Sequence, residues 1–314
     1  MKKKTKYRIR NWSDYNRSLV NRGSLTFWIA EELLANWIAP EKTGERGASP
    51  VYTAAAIVAM ASLKFVFAQA GRQTGGLVAS IFRLLKVSLP VPDHSTVSRR
   101  MAGVEVGLPV KPSKDARHLV IDSTGLKLYG EGEWKVRTHG ASKRRTWRKL
   151  HLCLDAATGE VMVAAGSENS VSDCEMFPEI VSAVKEEIAS ISCDGRYDRR
   201  KVYAALNQRA IKRAAIPPRR GAKIWQPGNS RKERLIRDEN LRAVRKKGRA
   251  KWKREANYHR RSLAETGVFR FKTIFTDKVQ SRKQENQFQE MIIKCAALNQ
   301  MTHLGMPDSY KVTV

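Results

Sequence analysis

With 314 residues, 42% of them hydrophobic, the chain carries enough apolar material for a buried core and for two domains. Lys and Arg number 59 against 30 Asp and Glu, a formal net charge of +29 and a pI near 10.3, so a polyanion, most commonly nucleic acid, is the expected partner. Four scattered cysteines, Cys153, Cys174, Cys193 and Cys295, form no C-x-x-C pair and have no neighbouring histidine pair, which argues against a zinc site and a disulfide framework. The basic start has no apolar run behind it, and the longest apolar stretch, Ala54 to Ala61, is far short of a membrane span. The expectation is a soluble, cytoplasmic protein with no membrane partner. The charge is uneven: residues 196–261 hold 24 basic against 5 acidic side chains, net +19, whereas residues 156–194 are net −7.

Taken in order, residues 1–16 form a basic arm with Trp12 and Tyr15 interleaved, either a solvated tail or an arm lying along phosphate. Residues 17–105 read as a helical domain. Ser24 is placed to cap a helix through Leu25, Trp28, Ile29, Leu33 and Trp37 that Pro40 ends. Thr43 to Pro50 is a loop. Tyr52 to Phe67 is an apolar helix, Gly71 to Gly76 a turn, and Leu77 to Val87 an amphipathic helix. After Leu89-Pro-Val-Pro92, Asp93 caps a short helix, His94 to Met101, carrying Ser95, Thr96, Ser98, Arg99 and Arg100. That is the plan of a helix-turn-helix DNA reader, with an ordinary helical subdomain as the other reading. Residues 106–116, with Pro109, Pro112 and Ser113, make a linker.

From residue 117 to 304 the texture changes to short β-branched runs. His118-Leu-Val-Ile-Asp122 reads as a strand ending in an acid, with Ser123 to Tyr129 as its hairpin partner. Trp134 to Trp147 is a basic segment. Arg148–Asp155 and Glu160–Ala165 make a second hairpin around Ala156-Ala-Thr-Gly159. Asp173 to Ala189 reads as a helix with Met176, Ile180, Val184 and Ile188 on one face. Ser190 to Asp194 is another strand ending in an acid, and Asp198 is placed to cap a helix over 199–209. A basic insertion, about 211–255, holds Trp225, Asn229 and Trp252; a terminal packing helix runs from Asn286 to Met301 with Phe288, Met291, Ile292 and Cys295 or Ala296 in step, and residues 305–314 form a tail.

Tyr258, Arg261, Glu265 and Lys272 share one face of a helix if Gly267 does not end it. Alone, this stretch reads equally as an exposed helix with an i,i+4 ion pair, contributing a few tenths of a kcal/mol. Asp122 and Asp194 each end a predicted strand, where acids also serve as turn formers or caps. Together with Glu265 they make a carboxylate cluster that costs stability unless cations neutralise it. Hard divalent cations suit such a cluster, and a pair of them can clamp the attacking and leaving oxygens of an in-line phosphoryl transfer.

The motifs Val120-Ile-Asp122-Ser-Thr-Gly, Ser192-Cys-Asp194-Gly-Arg-Tyr-Asp198 and Tyr258-x2-Arg261-x3-Glu265-x6-Lys272 resemble those of DDE transposases of bacterial insertion sequences, specifically the IS-five family with its Y-R-E-K signature. The resemblance covers essentially the whole chain. It implies an RNase H-like core, a mixed sheet flanked by helices, with Asp122 on its first strand, Asp194 on its fourth and Glu265 on a helix. These three would be the catalytic residues and metal ligands for Mg2+, with Mn2+ as a substitute and two ions expected. The implied activity is cleavage of the element's inverted-repeat ends and joining of the 3′-hydroxyl ends to target DNA. Tyr258, Arg261 and Lys272 would hold the terminal nucleotide; Trp225 or Trp252 would stack on a flipped base, unless either is a core residue. The helical region would bind the inverted repeats of double-stranded DNA, and pairing two ends implies a homodimer or higher assembly. A non-catalytic repressor derived from such an element is the alternative; an RNA-binding protein explained by charge alone leaves the spaced acids without a reason.

Overall fold

The computed structural model describes residues 6–40, 49–128, 147–226 and 234–312. The expectations for Thr43 to Ala48, for the basic segment 134–146 and for Asn229 lie outside them. The chain divides into two compact units: residues up to Pro109 together with those from Ala296 onward, and Val110 to Cys295. The last turns of the terminal helix and residues 305–312 of the tail cluster with the first unit.

In the first unit, β1 (Lys6–Ile9) pairs antiparallel with the strand Ser309–Val312, Lys6 opposite Val312 and Ile9 opposite Ser309. Residues 6–9 of the basic arm therefore belong to a two-stranded sheet, and residues 309–312 of the tail are their partner. α1 (Trp12–Asn21) follows, with Ser18 Oγ donating to the Gly305 carbonyl at 3.3 Å. The single helix expected through Trp37 is broken into α2 (Leu25–Trp28) and α3 (Glu31–Ala35) by extended backbone at Ala30. The break lets the consecutive residues Trp28 and Ile29 both turn inward, which a straight helix would set about 100° apart. Trp37 is fully buried, donates Nε1–H to the Pro90 carbonyl at 2.8 Å and meets Phe82 edge-on.

α4 (Ala54–Val66) begins at Thr53, whose hydroxyl accepts the Ala56 N–H. α5 (Gly71–Leu84) includes the glycines expected to form a turn. Its first turn is closed by side chains: Gln73 Oε1 accepts the Ala70 N–H at 3.1 Å and Thr74 Oγ1 donates to the Ala70 carbonyl. The true turn is the short break before Gly71, where α4 and α5 meet at 110°. α6 (His94–Met101) starts at Asp93, whose carboxylate accepts the Ser95 N–H at 2.8 Å. No single described helix is long and apolar enough to cross a membrane.

The second unit is a mixed sheet flanked by helices. β2 (Arg117–Leu128) is one continuous strand where a hairpin was expected. It stays extended because β3 (Trp147–Asp155) pairs along nearly all of it, from Leu119 opposite Asp155 to Lys127 opposite Trp147. Gly125 admits the Trp147 ring, which would lie 3.2 Å from a Cβ at that position. β4 (Val161–Glu168) completes the expected hairpin across a turn in which Gly159 has φ +73°. α7 (Asp173–Ala183) stops before Ile188, which opens β5 (Ile188–Ser192), parallel to β2. The helical spacing of Met176, Ile180 and Val184 runs into Ile188 by coincidence of period. α8 (Arg200–Gln208) and the two-residue β6 (Ala214–Ala215) follow, then α9 (Ile236–Lys247), α10 (Arg249–Glu255), α11 (Ser262–Phe275), β7 (Lys278–Val279) and α12 (Gln284–Leu304).

The strand order is β4-β3-β2-β5-β6, with β7 also pairing β2. Thus the first strand of the sheet lies between its second and fourth, and the second runs antiparallel to it, as an RNase H-like core requires. β2 alternates: Leu119 and Ile121 join Cys153, Ile191 and Cys193 in the apolar layer under α7 and α8, built on Phe177, Ile180, Val181 and Leu206. α11 covers β2 and β3 on the other face, with Ala264, Phe271 and Phe275 buried. Gly267 lets that helix approach, since a Cβ there would lie 2.5 Å from Leu154 Cδ2. α12 is buried on nearly every side from Asn286 to Thr302, so no single apolar face can be read from it. The Glu290–Lys294 ion pair (2.6 Å) sits inside, with Glu290 also accepting the Gln280 and Ser281 N–H groups.

Candidate active site

β5 pairs with β2 only as far as Val120 opposite Ser192, and β7 joins the same edge of β2 only at Lys127. Asp122 lies in the gap between them, where no described strand covers that edge. Being one residue after the core residue Ile121, it points to the face covered by α11. Its carboxylate accepts its neighbour's backbone, Ser123 N–H to Oδ1, at 2.9 Å. Arg261 Nη1 stands 3.3 Å from Oδ2.

Asp194 follows β5 and opens a 3₁₀ turn, Gly195–Tyr197, accepting the Arg196 N–H at 2.7 Å. It is therefore a turn cap, and its charge is also felt at Asp122 and Tyr258. Burial pushes the Asp122 carboxyl above its ordinary range; the Ser123 N–H and Arg261 pull the other way, and Asp194 and Asp173 push it further up.

Tyr258–Arg261 is a 3₁₀ turn, entered through Asn257 at φ +51°, and the α-helix proper begins at Ser262. The stretch is thus two elements where one helix was expected. Gly267 does not end α11, so Glu265 and Lys272 remain on one helix. Arg261 spans the site: one guanidinium nitrogen reaches Asp122 and the other donates to Glu265 Oε1. Burial opposes the Arg261 charge, but Tyr258, Glu265 and Asp122 hold its pKa above the ordinary arginine value. Burial likewise raises the Tyr258 phenol, with Arg261 working against that. Lys253 Nζ lies 4.9 Å from the Tyr258 ring centre. Lys272 is half-buried; its charge helps keep Asp277 low, a shift owed first to the Lys127 ammonium 2.9 Å away.

The structure thus brings Asp122, Arg261 and Glu265 into one connected group, with Asp194 and Tyr258 as electrostatic neighbours. The donors are all hard carboxylate oxygens, the ligand type a hard divalent cation takes, and burial works against the Asp122 charge. Among the described residues, no three His, Cys, Asp or Glu side chains converge closely enough to hold one, and the cation between Asp122 and Glu265 is the guanidinium of Arg261.

Three features were not legible beforehand. Asp173, in the first turn of α7, keeps Lys149 Nζ 3.4 Å and His151 Nδ1 4.0 Å from its Oδ1, behind the acids. An acid right after Ser172 signals a helix start and nothing more. Asp198 does not cap α8: it accepts Arg237 Nε (2.9 Å) and the Arg219 N–H (3.1 Å), tying the basic insertion to the sheet. Trp225 is half-buried, with the guanidinium carbons of Arg237 and Arg200 at 3.9 and 4.8 Å from its ring centre and Tyr203 edge-on. Trp252 is buried, with Nε1–H donated to Asn240 Oδ1 at 3.3 Å, which makes it the core residue of the two. On α6, Ser95, Ser98 and Arg99 are exposed and Thr96 is partly so, while Arg100 turns back onto the Tyr52 carbonyl.

A mixed sheet in this order, with an acid on its first strand, a second after its fourth and a third on a covering helix, is the arrangement of an RNase H-like core. Residues 113–300 match the family model described as a transposase DDE domain, and residues 20–131 match a second model of the same description. The chain belongs to the DDE transposase family. Among solved structures it is similar to the cryo-EM structure of a piggyBac transposase synaptic complex with hairpin DNA. That match has 13% identity and a TM-score of 0.40, over 90% of this chain and 73% of that one.

Proposed function

We propose that the chain is the transposase of a bacterial insertion sequence of the IS-five type. It binds the inverted-repeat ends of its element, cleaves them and joins the 3′-hydroxyl ends to target DNA. The observation that carries this reading is the Arg261 guanidinium, which links the strand acid Asp122 to the helix acid Glu265 beside Asp194. A merely exposed ion-paired helix would have no reason to reach Asp122.

Asp122, Asp194 and Glu265 would hold magnesium, or manganese in its place, with two ions expected. The bound metal supplies Lewis-acid activation of the attacking and leaving oxygens. The chain's own residues position the substrate. Arg261, always charged and bidentate, can give one edge to an acid and the other to a phosphate. Lys253 and Lys272 add point charges near Tyr258 and along α11, and Trp225 with its arginines offers a further contact to the DNA end. α6 stands as the reader of the inverted repeats through Ser95, Thr96, Ser98 and Arg99, of which Ser95, Ser98 and Arg99 are exposed. Arg100 serves there as an anchor. Two ends brought together call for a dimer or higher assembly, acting on the nucleoid in the cytoplasm.

The test is cleavage of end-bearing duplex DNA with magnesium. Asp122→Asn, Asp194→Asn and Glu265→Gln are each expected to lose cleavage and keep end binding in a gel-shift assay. A variant that cuts at the wild-type rate removes that residue from the ligand set. A wild-type chain that binds ends but never nicks them, with magnesium or manganese, would point to the repressor reading.

A further inference from the structure

α11 turns Ala264, Gly267, Phe271 and Phe275 inward. Glu265 lies on its flank, and Phe269 and Lys272 follow four and seven residues later, about 40° and 20° round the helix from it. The three form one stripe running away from Arg261. Phe269 is 69% exposed; among the described residues of its unit, Leu263 at 36% is the only other large apolar side chain on the surface. The exposed aromatic therefore stands where the acid and the cations are, not at a random point of the surface. It also has a cation at helical spacing: Lys272 lies three residues on, one turn along the same helix.

A flat apolar ring beside cations is complementary to a nucleotide, whose base offers a π-face and whose phosphate takes the charge. An apolar protein partner would match the ring but not the ammonium of Lys272 one turn away. We propose that Phe269 is a positioning residue for the DNA end, its ring packing on the face of a base within a nucleotide or two of the cleaved bond while Lys272 takes the adjoining phosphate. This rests on the reading of Glu265 and its neighbours as the cleavage site. Phe269 touches the bound strand without entering the chemistry, so its loss shifts the strand's register over the acids.

The experiment uses the full chain and duplex ends carrying 2-aminopurine at each of the last three positions in turn, with fluorescence read on binding and cleavage read in parallel. In wild type, one position should change intensity when bound. Phe269→Ala should abolish that change and slow cleavage roughly 5- to 150-fold, the range seen when a stacking side chain is truncated. Phe269→Trp and Phe269→Tyr should restore both, and Phe269→Leu should restore neither. The residue is exposed, so folding should be unaffected, checked by matching thermal melts. Unchanged fluorescence and rate in Phe269→Ala would overturn the proposal, as would full rescue by Phe269→Leu, or a defect confined to oligomeric state in light scattering. Asp122→Asn serves as the separate control: if it still cleaves, the site reading fails, while the fluorescence arm still decides the placement of Phe269.

Discussion

Gly267 is where helix packing and chemistry meet, two residues from Glu265. Replacing it with alanine would put a methyl carbon 2.5 Å from Leu154 Cδ2, and 3.4 and 3.6 Å from Leu154 Cδ1 and Cγ, against an optimal carbon–carbon separation of about 3.5–4.0 Å. Leu154 is 1% exposed and has nowhere to retreat. Overpacking of this kind costs about 1–3 kcal/mol, and the better helix propensity of alanine returns about 1 kcal/mol. The expected outcome is a net loss of about 1 kcal/mol and at most about 2, read as a lower midpoint in urea. Since α11 must move off β3, Glu265 moves with it, and cleavage should fall further than the stability loss alone accounts for. Leu154→Ala opens the space, so the double variant should be more stable than the sum of the two single changes. If Gly267→Ala proved as stable as wild type, or if the two substitutions were simply additive, the close approach of helix and strand would not be what holds that glycine in place.

Two further outcomes test the interior. Burial holds His151 at about 4, below its ordinary 6.5, with Asp173 pulling the other way. The unfolded chain takes up a proton that the folded one refuses, so stability should fall as pH drops from about 6.5 towards 4 and level off below that. The loss attached to this group is on the order of 3 kcal/mol; His151→Gln should flatten that limb of a stability-versus-pH curve, and an unchanged slope would exonerate the histidine. Lys294 and Glu290 are both buried and 2.6 Å apart, so Lys294→Met strands a carboxylate and should cost about 3–5 kcal/mol, with a loss under about 1 refuting the pair's importance.

Local signals were sufficient where local chemistry decides the outcome. Asp93 capping α6, Gly159 turning between β3 and β4, and the apolar run over 119–121 all behave as their sequence suggests. The readings failed where a distant partner overrides local preference. Ser123-Thr-Gly125 looks like a turn until β3 pairs across it, and Gly71 to Gly76 looks like a turn until Gln73 and Thr74 close a helical one. The order and spacing of the three acids were visible in the chain. The bridge from Arg261 to Asp122 was not, because it joins residues 139 apart and depends on the gap between β5 and β7. The tie from Asp198 to Arg237 was hidden for the same reason.

The pairing of Lys6–Ile9 with Ser309–Val312 has a consequence for synthesis. A ribosome emits β1 long before its partner strand, with the whole second unit in between, and the Gly305 carbonyl that receives Ser18 arrives equally late. All three acids and the whole sheet between them have emerged by then. A chain cut short just before residue 296 would keep every residue of the proposed active site and lack what closes the other unit. Truncation just before residue 296 should therefore separate the two capacities, with an intact acid-bearing sheet and a crippled first unit.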